Sequence, residues 1–313
     1  MAWRESLITG PTPSGLSDDE WLDVRSKHLA AAYDVDSSQC RSDLFRQQQM
    51  LESFVDHDEV ILWFEHDLFC QLHLIYLLDW FSRRDPGRTK LSLICIGEFP
   101  GKENFRGLGE LSPAELASLF PKRTQVTAAQ RSLATSAWQA YCSADPTQLQ
   151  AFLKTDSSPL RYLAAALRAH LERFPSTTNG LGRVENRALR LIGDGADRFG
   201  SLFAKFGETE GIYGFGDAQL WTTIQTLATV KQPLITITSS SNEDVAQRSL
   251  TPELVRDAQL VLTDTGKSVL SGFADSVALN GIDQWLGGVH LSEGAIWRWN
   301  NETQLMFPPS PSA

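Results

Sequence analysis

The chain of 313 residues carries 38 acidic and 28 basic side chains, which gives it a formal net charge of −10 at pH 7. Its 42% hydrophobic and 21% charged residues are typical of a globular protein with enough apolar surface for one large domain or two modest ones. The sequence has no run of the ~18 apolar residues that a membrane span needs, and it opens without the basic-then-apolar order of a secretory signal. We therefore predict a cytoplasmic protein without a membrane partner.

The four cysteines are widely spaced and form no CxxC pair. They are Cys40, Cys70, Cys95 and Cys142. Two of them fall inside apolar runs, so buried free thiols are favoured over a disulfide framework, in agreement with the predicted compartment.

The first predicted elements are helices. After the turn-rich GPTPSG (10–15), Ser17 is placed to cap a helix that has Glu20 three residues on. Apolar residues at helical spacing continue this helix to Ala32. A second, more polar helix is predicted over residues 42–54.

The clearest pattern is a βαβ unit between residues 59 and 99. EVILWF (59–64) is apolar on both faces, as in a parallel strand that helices cover on each side. Residues 67–82 have helical spacing, and LSLICIGEF (91–99) is a second apolar strand. Ligands of such units bind beyond the carboxyl ends of the strands, where residues 65–67 and 97–98 fall.

The rest of the chain is mostly helical. Helical spacing runs from Leu111 through the middle of the chain. Candidate helices follow, and then two candidate strands that could pair, in the order of a winged helix. The helices cover residues 182–192, 199–206 and 217–228, and the strands cover 233–238 and 258–266.

We predict an α/β fold in four parts. An N-terminal, partly parallel sheet with flanking helices covers residues 1–125, and a helical connector covers 126–175. A winged-helix-like domain covers 176–272, and an aromatic-rich tail with a hairpin turning at Asn300 and Asn301 covers 273–313.

The strongest candidate site is the polar cluster where the first strand of the βαβ unit ends. Glu65, His66 and Asp67 lie there, and Glu98 follows the second strand. Paired carboxylates can divide acid and base roles or hold Mg²⁺. A structural role is open for each: Asp67 is well placed to cap the next helix, His66 could bond a carbonyl, and the two glutamates are less easily explained as caps.

A metal site is the weaker interpretation of this region. His66, Cys70 and His73 have spacings of four and three residues and ligand types that suit zinc. His66 falls at or before the helix start, Cys70 lies in an apolar context, and no fourth ligand suggests itself. We therefore predict no metal ligand, and the sequence names no cofactor.

The loop FPGKENFRGLGE (99–110) offers a second candidate site. Its glycines and the cations Lys102 and Arg106 follow a strand, so that backbone N–H groups and Arg106 could hold a phosphate. The spacing matches neither GxGxxG nor GxxxxGK[ST], and a flexible loop is the simpler interpretation.

The winged-helix prediction raises the question of DNA binding. The segment DAQLWTTIQTLAT (217–229) contains Gln219 and Gln225 but no Lys or Arg, and residues 176–272 hold nine basic and eleven acidic side chains. Modules that bind DNA are typically basic, so DNA is disfavoured without being excluded, and packing or contact with a protein partner is favoured.

The tail combines Trp285, Trp297 and Trp299 with His290 and Arg298. These rings could wall a ligand pocket. Docking of the tail by burial of aromatic area is the favoured interpretation.

Long phrases of the sequence resemble one uncharacterised bacterial family, domain of unknown function 1835. The phrases are WFEHDLFCQL, LSLICIGEFPG, FRGLGELSPAEL, FPKRTQVTAAQ, NGLGRVE and LNGIDQWLGGVHL, and they cover nearly the whole chain. The resemblance implies an architecture but no activity. Relatives are expected to begin with an additional strand and helix before the segment that matches AWRESLITGPTP. Two explanations are open: the start of the sequence is assigned too far downstream, or the α/β part lacks its first unit.

Two functions follow from these patterns. In the first, the strand ends of the α/β part bind a small polar or phosphorylated ligand, with enzymatic turnover as an open extension. In the second, the protein is a regulator whose winged-helix-like domain contacts DNA or a protein partner.

Overall fold

The computed structural model describes residues 2–239, 243–244, 246 and 255–309. The chain is mixed α/β, with helices around small sheets. It divides into two compact units. Unit 1 comprises Met1–Ala169, Ile212–Gly214 and Trp285–Val289, and unit 2 comprises His170–Gly211, Phe215–Gln284 and His290–Ala313.

The α-helices of the described residues are α1 (Asp18–Tyr33), α2 (Ser37–Glu52), α3 (Leu68–Ser82), α4 (Pro113–Leu119), α5 (Ala128–Tyr141), α6 (Thr147–Phe152), α7 (Leu163–Leu171), α8 (Arg183–Gly193), α9 (Phe199–Thr209), α10 (Asp217–Thr229), α11 (Asp264–Leu270) and α12 (Ser276–Asn280). Short 3₁₀ helices cover Ser53–Asp56, Leu108–Glu110, Phe120–Lys122, Ser158–Leu160 and Gly211–Tyr213. Within the part of the chain that the structure describes, no helix is both long and apolar enough to cross a bilayer.

The strands are β1 (Gly10–Pro11), β2 (Glu59–Glu65), β3 (Lys90–Ile96), β4 (Thr124–Gln125), β5 (Ile235–Thr238), β6 (Gln259–Leu262), β7 (Gln284–Gly287), β8 (Val289–Leu291), β9 (Arg298–Asn300) and β10 (Leu305–Phe307).

The main sheet of unit 1 has the order β2-β3-β4. Strands β2 and β3 are parallel, from Glu59 opposite Lys90 to Glu65 opposite Ile96, so the partly parallel sheet is confirmed. Strand β4 adds an antiparallel edge. Strand β3 ends at Ile96, three residues before the predicted end, and the next residue, Gly97, packs closely against His66 and Tyr162.

Apolar layers cover the main sheet. Ile94 of β3 packs in a buried cluster with Phe105, Leu111 and Leu119 from the segments that follow β3. Helix α3 is buried on nearly all sides, with Leu68, Leu72 and Ile75 inaccessible to solvent. Burial of such side chains stabilises by about 1.5–3 kcal/mol each, which holds the strand ends in place.

A buried arginine organises the N-terminal segment of unit 1. Arg25 of α1 is inaccessible to solvent and pairs with Glu5 at 2.7 Å. Its guanidinium also donates to the backbone carbonyls of Ser6, Thr9 and Pro11 at 2.9–3.0 Å. The segment held in this way forms β1, which pairs in parallel with β7.

Of the two helices predicted near the N-terminus, the second needs a corrected start. Helix α1 begins at the predicted capping box of Ser17 and Glu20. Helix α2 starts at Ser37, five residues before the predicted start at Ser42, because the side chain of Asp36 accepts a hydrogen bond from the N–H of Gln39 and begins the helix there.

Unit 2 contains α8, α9 and α10 and then the antiparallel pair β5–β6. Strand β6 ends at Leu262, four residues before the predicted end, because Thr263 accepts a hydrogen bond from the N–H of Gly266 and begins α11. The winged-helix assignment stays a prediction. In the tail, β9 and β10 form the predicted hairpin, and Trp299 is 2% exposed, as docking requires.

We expect Arg25→Ala to lower the free energy of unfolding by about 3–5 kcal/mol, because it leaves the Glu5 carboxylate buried without its cation. Chemical denaturation measures this loss. The matched control is Arg41→Ala, whose partners Asp19 and Asp23 are exposed, and it should lower the stability far less, because solvent screens such pairs. Equal losses in the two variants would show that burial of the Arg25 pair does not stabilise the segment.

Candidate functional site

The turn from β2 into α3 is made by the three polar residues that the sequence singled out. Asp67 is the N-cap of α3, and its Oδ1 accepts a hydrogen bond from the N–H of Cys70 at 2.8 Å. The residue is only 3% exposed. The predicted capping role of Asp67 is therefore confirmed, and its carboxylate is held far from bulk water.

Glu65 ends β2 and reaches a neighbouring loop. Its Oε1 accepts a hydrogen bond of 2.6 Å from the N–H of Leu108, at the start of a 3₁₀ helix. The Cα of Gly107 lies so close that a Cβ there would be 2.4 Å from Oε2 of Glu65. A glycine is required at 107 for this approach, and Glu65 anchors the loop to the sheet.

Glu65 and Asp67, hereafter the carboxyl pair, interact with each other. Burial raises the pKa of Asp67 to about 7; the hydrogen bond from Cys70 opposes the rise, and the charge and hydrogen bonding of Glu65 add to it. Gly214, with φ +62°, packs against the Asp67 carboxylate, where a Cβ would be 2.3 Å from Oδ1. Backbone from two loops thus encloses the carboxyl pair.

Two thiols lie against the same residues. The Sγ of Cys70 donates to Oε2 of Glu65 at 3.7 Å, and the Sγ of Cys95, from β3, donates to the backbone carbonyl of Glu65 at the same distance. Gln71, 1% exposed, donates to that carbonyl at 2.6 Å and to the Cys95 sulfur at 3.4 Å. Burial raises the pKa of Cys95 to about 11, so its thiol stays protonated at neutral pH.

His66, which is half-buried, lies beside the ring of Tyr162. Its ring lies 6.1 Å from that of Tyr162, and both pack on Gly97, where a Cβ would be 2.9 Å from the nearest atom of each. Burial lowers the pKa of His66, which favours the neutral imidazole. Among the described residues, no group hydrogen-bonds the buried Nδ1 of His66.

The structure places Glu98 apart from the carboxyl pair. Its side chain is 80% exposed and lies 3.5 Å from Arg161. The guanidinium of Arg161 in turn covers the ring of Tyr162 at 4.8 Å. The predicted sharing of one site by Glu65 and Glu98 is not seen, because Glu98 turns outward to Arg161 while Glu65 turns to the loop.

The loop cations do not form a phosphate cradle. Lys102 donates to the backbone carbonyl of Glu110 at 3.0 Å and lies 3.6 Å from Glu115, and the side chain of Arg106 is on an exposed residue. The N–H of Leu108, which could hold an anion, is bonded to Glu65. A protein carboxylate thus occupies the position that the sequence assigned to a ligand.

The sequence suggested His66, Cys70 and His73 as a weaker candidate metal site. The structure does not group these three residues as metal ligands. His73 is 2% exposed, and its Nδ1 is 2.7 Å from the backbone carbonyl of Phe69, so the ring belongs to the core of unit 1. Among the described residues, the grouping of ligand atoms that could hold a metal ion is Glu65, Asp67 and Cys70, whose atoms all lie within 4.8 Å of one another. The sequence named no metal ligands, and the structure brings these three together.

Several residues of the site were missed by reasoning from the sequence. They are Cys95, Gly107, Arg161, Tyr162 and Gly214. The two glycines could not be identified, because the spacing of residues in the sequence does not show which backbone segments pack closely against a side chain. Arg161 and Tyr162 fall in a segment whose helical period suggested only a packing layer.

Comparison of the chain with family models, with curated proteins and with solved structures found no match. The resemblance to domain of unknown function 1835 therefore stays a prediction, and function must be argued from the geometry alone.

We expect Gly107→Ala to destabilise the protein by about 1–3 kcal/mol, because the added methyl group collides with the Glu65 carboxylate. The measurement is the midpoint of chemical denaturation. Gly109→Ala is the matched control, since a Cβ there meets no atom within 4 Å. A Gly107→Ala variant as stable as this control would contradict the close approach.

We expect stability to depend on pH through Asp67. Its pKa is raised in the folded state, so the folded protein binds the proton more tightly, and stability falls as the pH rises from about 4 towards 7. One proton contributes at most about 1.4 kcal/mol per pH unit. Asp67→Asn keeps a capping side chain and should flatten this fall.

The test is a denaturation series across this pH range in the presence of a chelator. Asp36→Asn is the control, because Asp36 also caps a helix but its pKa is lowered by hydrogen bonds from Ser38 and Gln39. Its replacement should leave the fall between pH 4 and 7 in place. The same fall in the native and Asp67→Asn chains would contradict the assignment.

Proposed function

We propose that the protein binds a small polar ligand at the carboxyl ends of β2 and β3. The proposal rests on one observation: the Nδ1 atom of His66 is buried and has no hydrogen-bond partner among the described residues. Buried polar atoms in native proteins are nearly always hydrogen-bonded, so an exception calls for a partner from outside the chain. A ligand with a polar hydrogen or a lone pair would supply it.

The surroundings of His66 support a ligand with one polar end and one anionic end. The cation Arg161 covers the ring of Tyr162, and its only ion-pair partner among the described residues is the exposed Glu98, an interaction worth about 1 kcal/mol or less. A carboxylate or phosphate of the ligand can compete for it. Exchange of a weak surface pair for a bidentate contact is favourable.

Turnover of the ligand is an extension of the same proposal. Imidazole and carboxyl groups are the side chains that general acid–base catalysis uses most. The charge of Glu65 acts on the pKa of His66, so a ligand bonded to His66 Nδ1 would come near a carboxyl group able to exchange protons.

Cytoplasmic localisation is a further part of the proposal. All four cysteines are free thiols in the structure. Free thiols are typical of proteins in a reducing compartment.

The alternative proposal is a regulatory role for unit 2. Its three helices and antiparallel strand pair support a winged-helix-like assignment. The exposed face of α10 presents Thr222, Thr226 and Thr229, whose hydroxyls donate to carbonyls of the same helix. Such a face offers DNA phosphates no cation, so a protein partner suits it better.

A thermal-shift panel of nucleotides, sugar phosphates, small carboxylic acids, amino acids and short duplex DNA tests the proposed function. All samples contain a chelator. A ligand at ~100 times its Kd adds about 2.7 kcal/mol to the free energy of unfolding, which raises the Tm of a chain of this size by several degrees. We expect a small polar compound to raise the Tm of the native chain and to lose this effect in His66→Gln.

The control is His57→Gln, because His57 is an exposed histidine before β2 and should be neutral to the response. Arg161→Gln should weaken anionic ligands more than neutral ones. A response to DNA alone, equal in the native chain and both histidine variants, would reject the strand-end site and favour the regulatory role.

A further inference from the structure

We propose that Glu65, Asp67 and Cys70 bind a divalent transition-metal ion, with Zn²⁺ as the best match to their chemistry. The proposal concerns the carboxyl pair and the adjacent Cys70, and it does not depend on the ligand proposed for His66. A metal ion can bind to these three residues whether or not an organic ligand binds at His66.

The distances fit a metal site that closes by small side-chain rotations. One ligand atom from each of the three residues lies within 4.8 Å of the other two. Zn–O and Zn–S bonds of about 2.0–2.3 Å place tetrahedral ligand atoms about 3.3–3.8 Å apart. The Cys70 sulfur and Oε2 of Glu65 are already 3.7 Å apart.

The charge of the carboxyl pair supplies an independent argument. Asp67 is 3% exposed, and the charge of its neighbour Glu65 adds to the rise of the Asp67 pKa. Among the described residues, no Lys, Arg or His forms an ion pair with either carboxylate, and Arg161 pairs with Glu98 instead. Buried charges are normally paired or coordinate a metal, so this pair requires either a shared proton or a cation.

The thiols select the kind of cation. Mg²⁺ and Ca²⁺ prefer oxygen ligands alone, whereas Zn²⁺ and its neighbours accept sulfur together with carboxylate oxygen. Cys70 lies on the first turn of α3, and Cys95 comes from the adjacent strand, with its sulfur 3.7 Å from the Glu65 carbonyl. The Cys70 thiol therefore favours Zn²⁺ among these cations, and the Cys95 thiol packs next to the Glu65 backbone without belonging to the ligand set.

The ligands are also positioned by outer contacts. Oε1 of Glu65 is held by the N–H of Leu108, and the Glu65 carbonyl is held by Gln71. These bonds leave Oε2 turned towards Cys70. Partners that orient ligands in this way are a regular feature of metal sites.

Titration of the full-length, chelator-treated protein with Co²⁺ tests the proposal. Co²⁺ takes the place of Zn²⁺ and absorbs in the near ultraviolet when a thiolate binds it. We expect one equivalent of Co²⁺ to produce this band and one equivalent of Zn²⁺ to remove it. Cys70→Ser should lose the band, while Cys40→Ser, which changes a half-buried thiol of α2, should keep it.

Two further variants keep the test decisive if Cys70→Ser folds poorly. Glu65→Gln and Asp67→Asn keep the thiols and should weaken Zn²⁺ binding by about tenfold or more, since each removes a ligand. His66→Gln should keep the band, which separates metal binding from the proposed ligand of His66. A native chain without a band, or a band of equal strength in Cys70→Ser, would overturn the proposal.

Discussion

The hydrogen bond from the Cys70 N–H to the Asp67 carboxylate is the interaction on which the strand-end site depends. Because it caps α3 only two residues after the end of β2, it brings Glu65, His66 and Cys70 together at the carboxyl end of the strand. This arrangement costs free energy, because it buries the carboxylate of Asp67, which is 3% exposed, beside that of Glu65. The loop that carries Leu108 offsets part of this cost by donating an N–H to Glu65.

Much of the local structure of this region can be predicted from the sequence. The parallel strands follow from two apolar runs, and the cap follows from Glu-His-Asp placed before a helical period. Both signals are local, because they depend on residues a few positions apart. The same holds for the capping box of Ser17 and Glu20 and for the tail hairpin.

The contacts that complete the site cannot be predicted in this way, because they join residues far apart in the chain. Nothing around Gly214 indicates that it packs on Asp67, and nothing in the segment with Tyr162 indicates that it approaches His66. Glu98 shows the reverse failure: it follows the neighbouring strand, yet its side chain turns to Arg161. A strand end specifies where a backbone lies but not the direction of the side chain beyond it.

The pairing of β1 with β7 has a consequence for how the chain can be divided. Gly10 lies opposite Leu286 and Pro11 opposite Gly287, so the ends of the sequence contribute adjacent strands to unit 1. The ribosome adds residues 285–289 long after it has made β1. Until then β1 lacks the strand with which it pairs in unit 1. A fragment that stops at residue 169 would lack β7, so unit 1 is whole only in a chain that extends at least to residue 289.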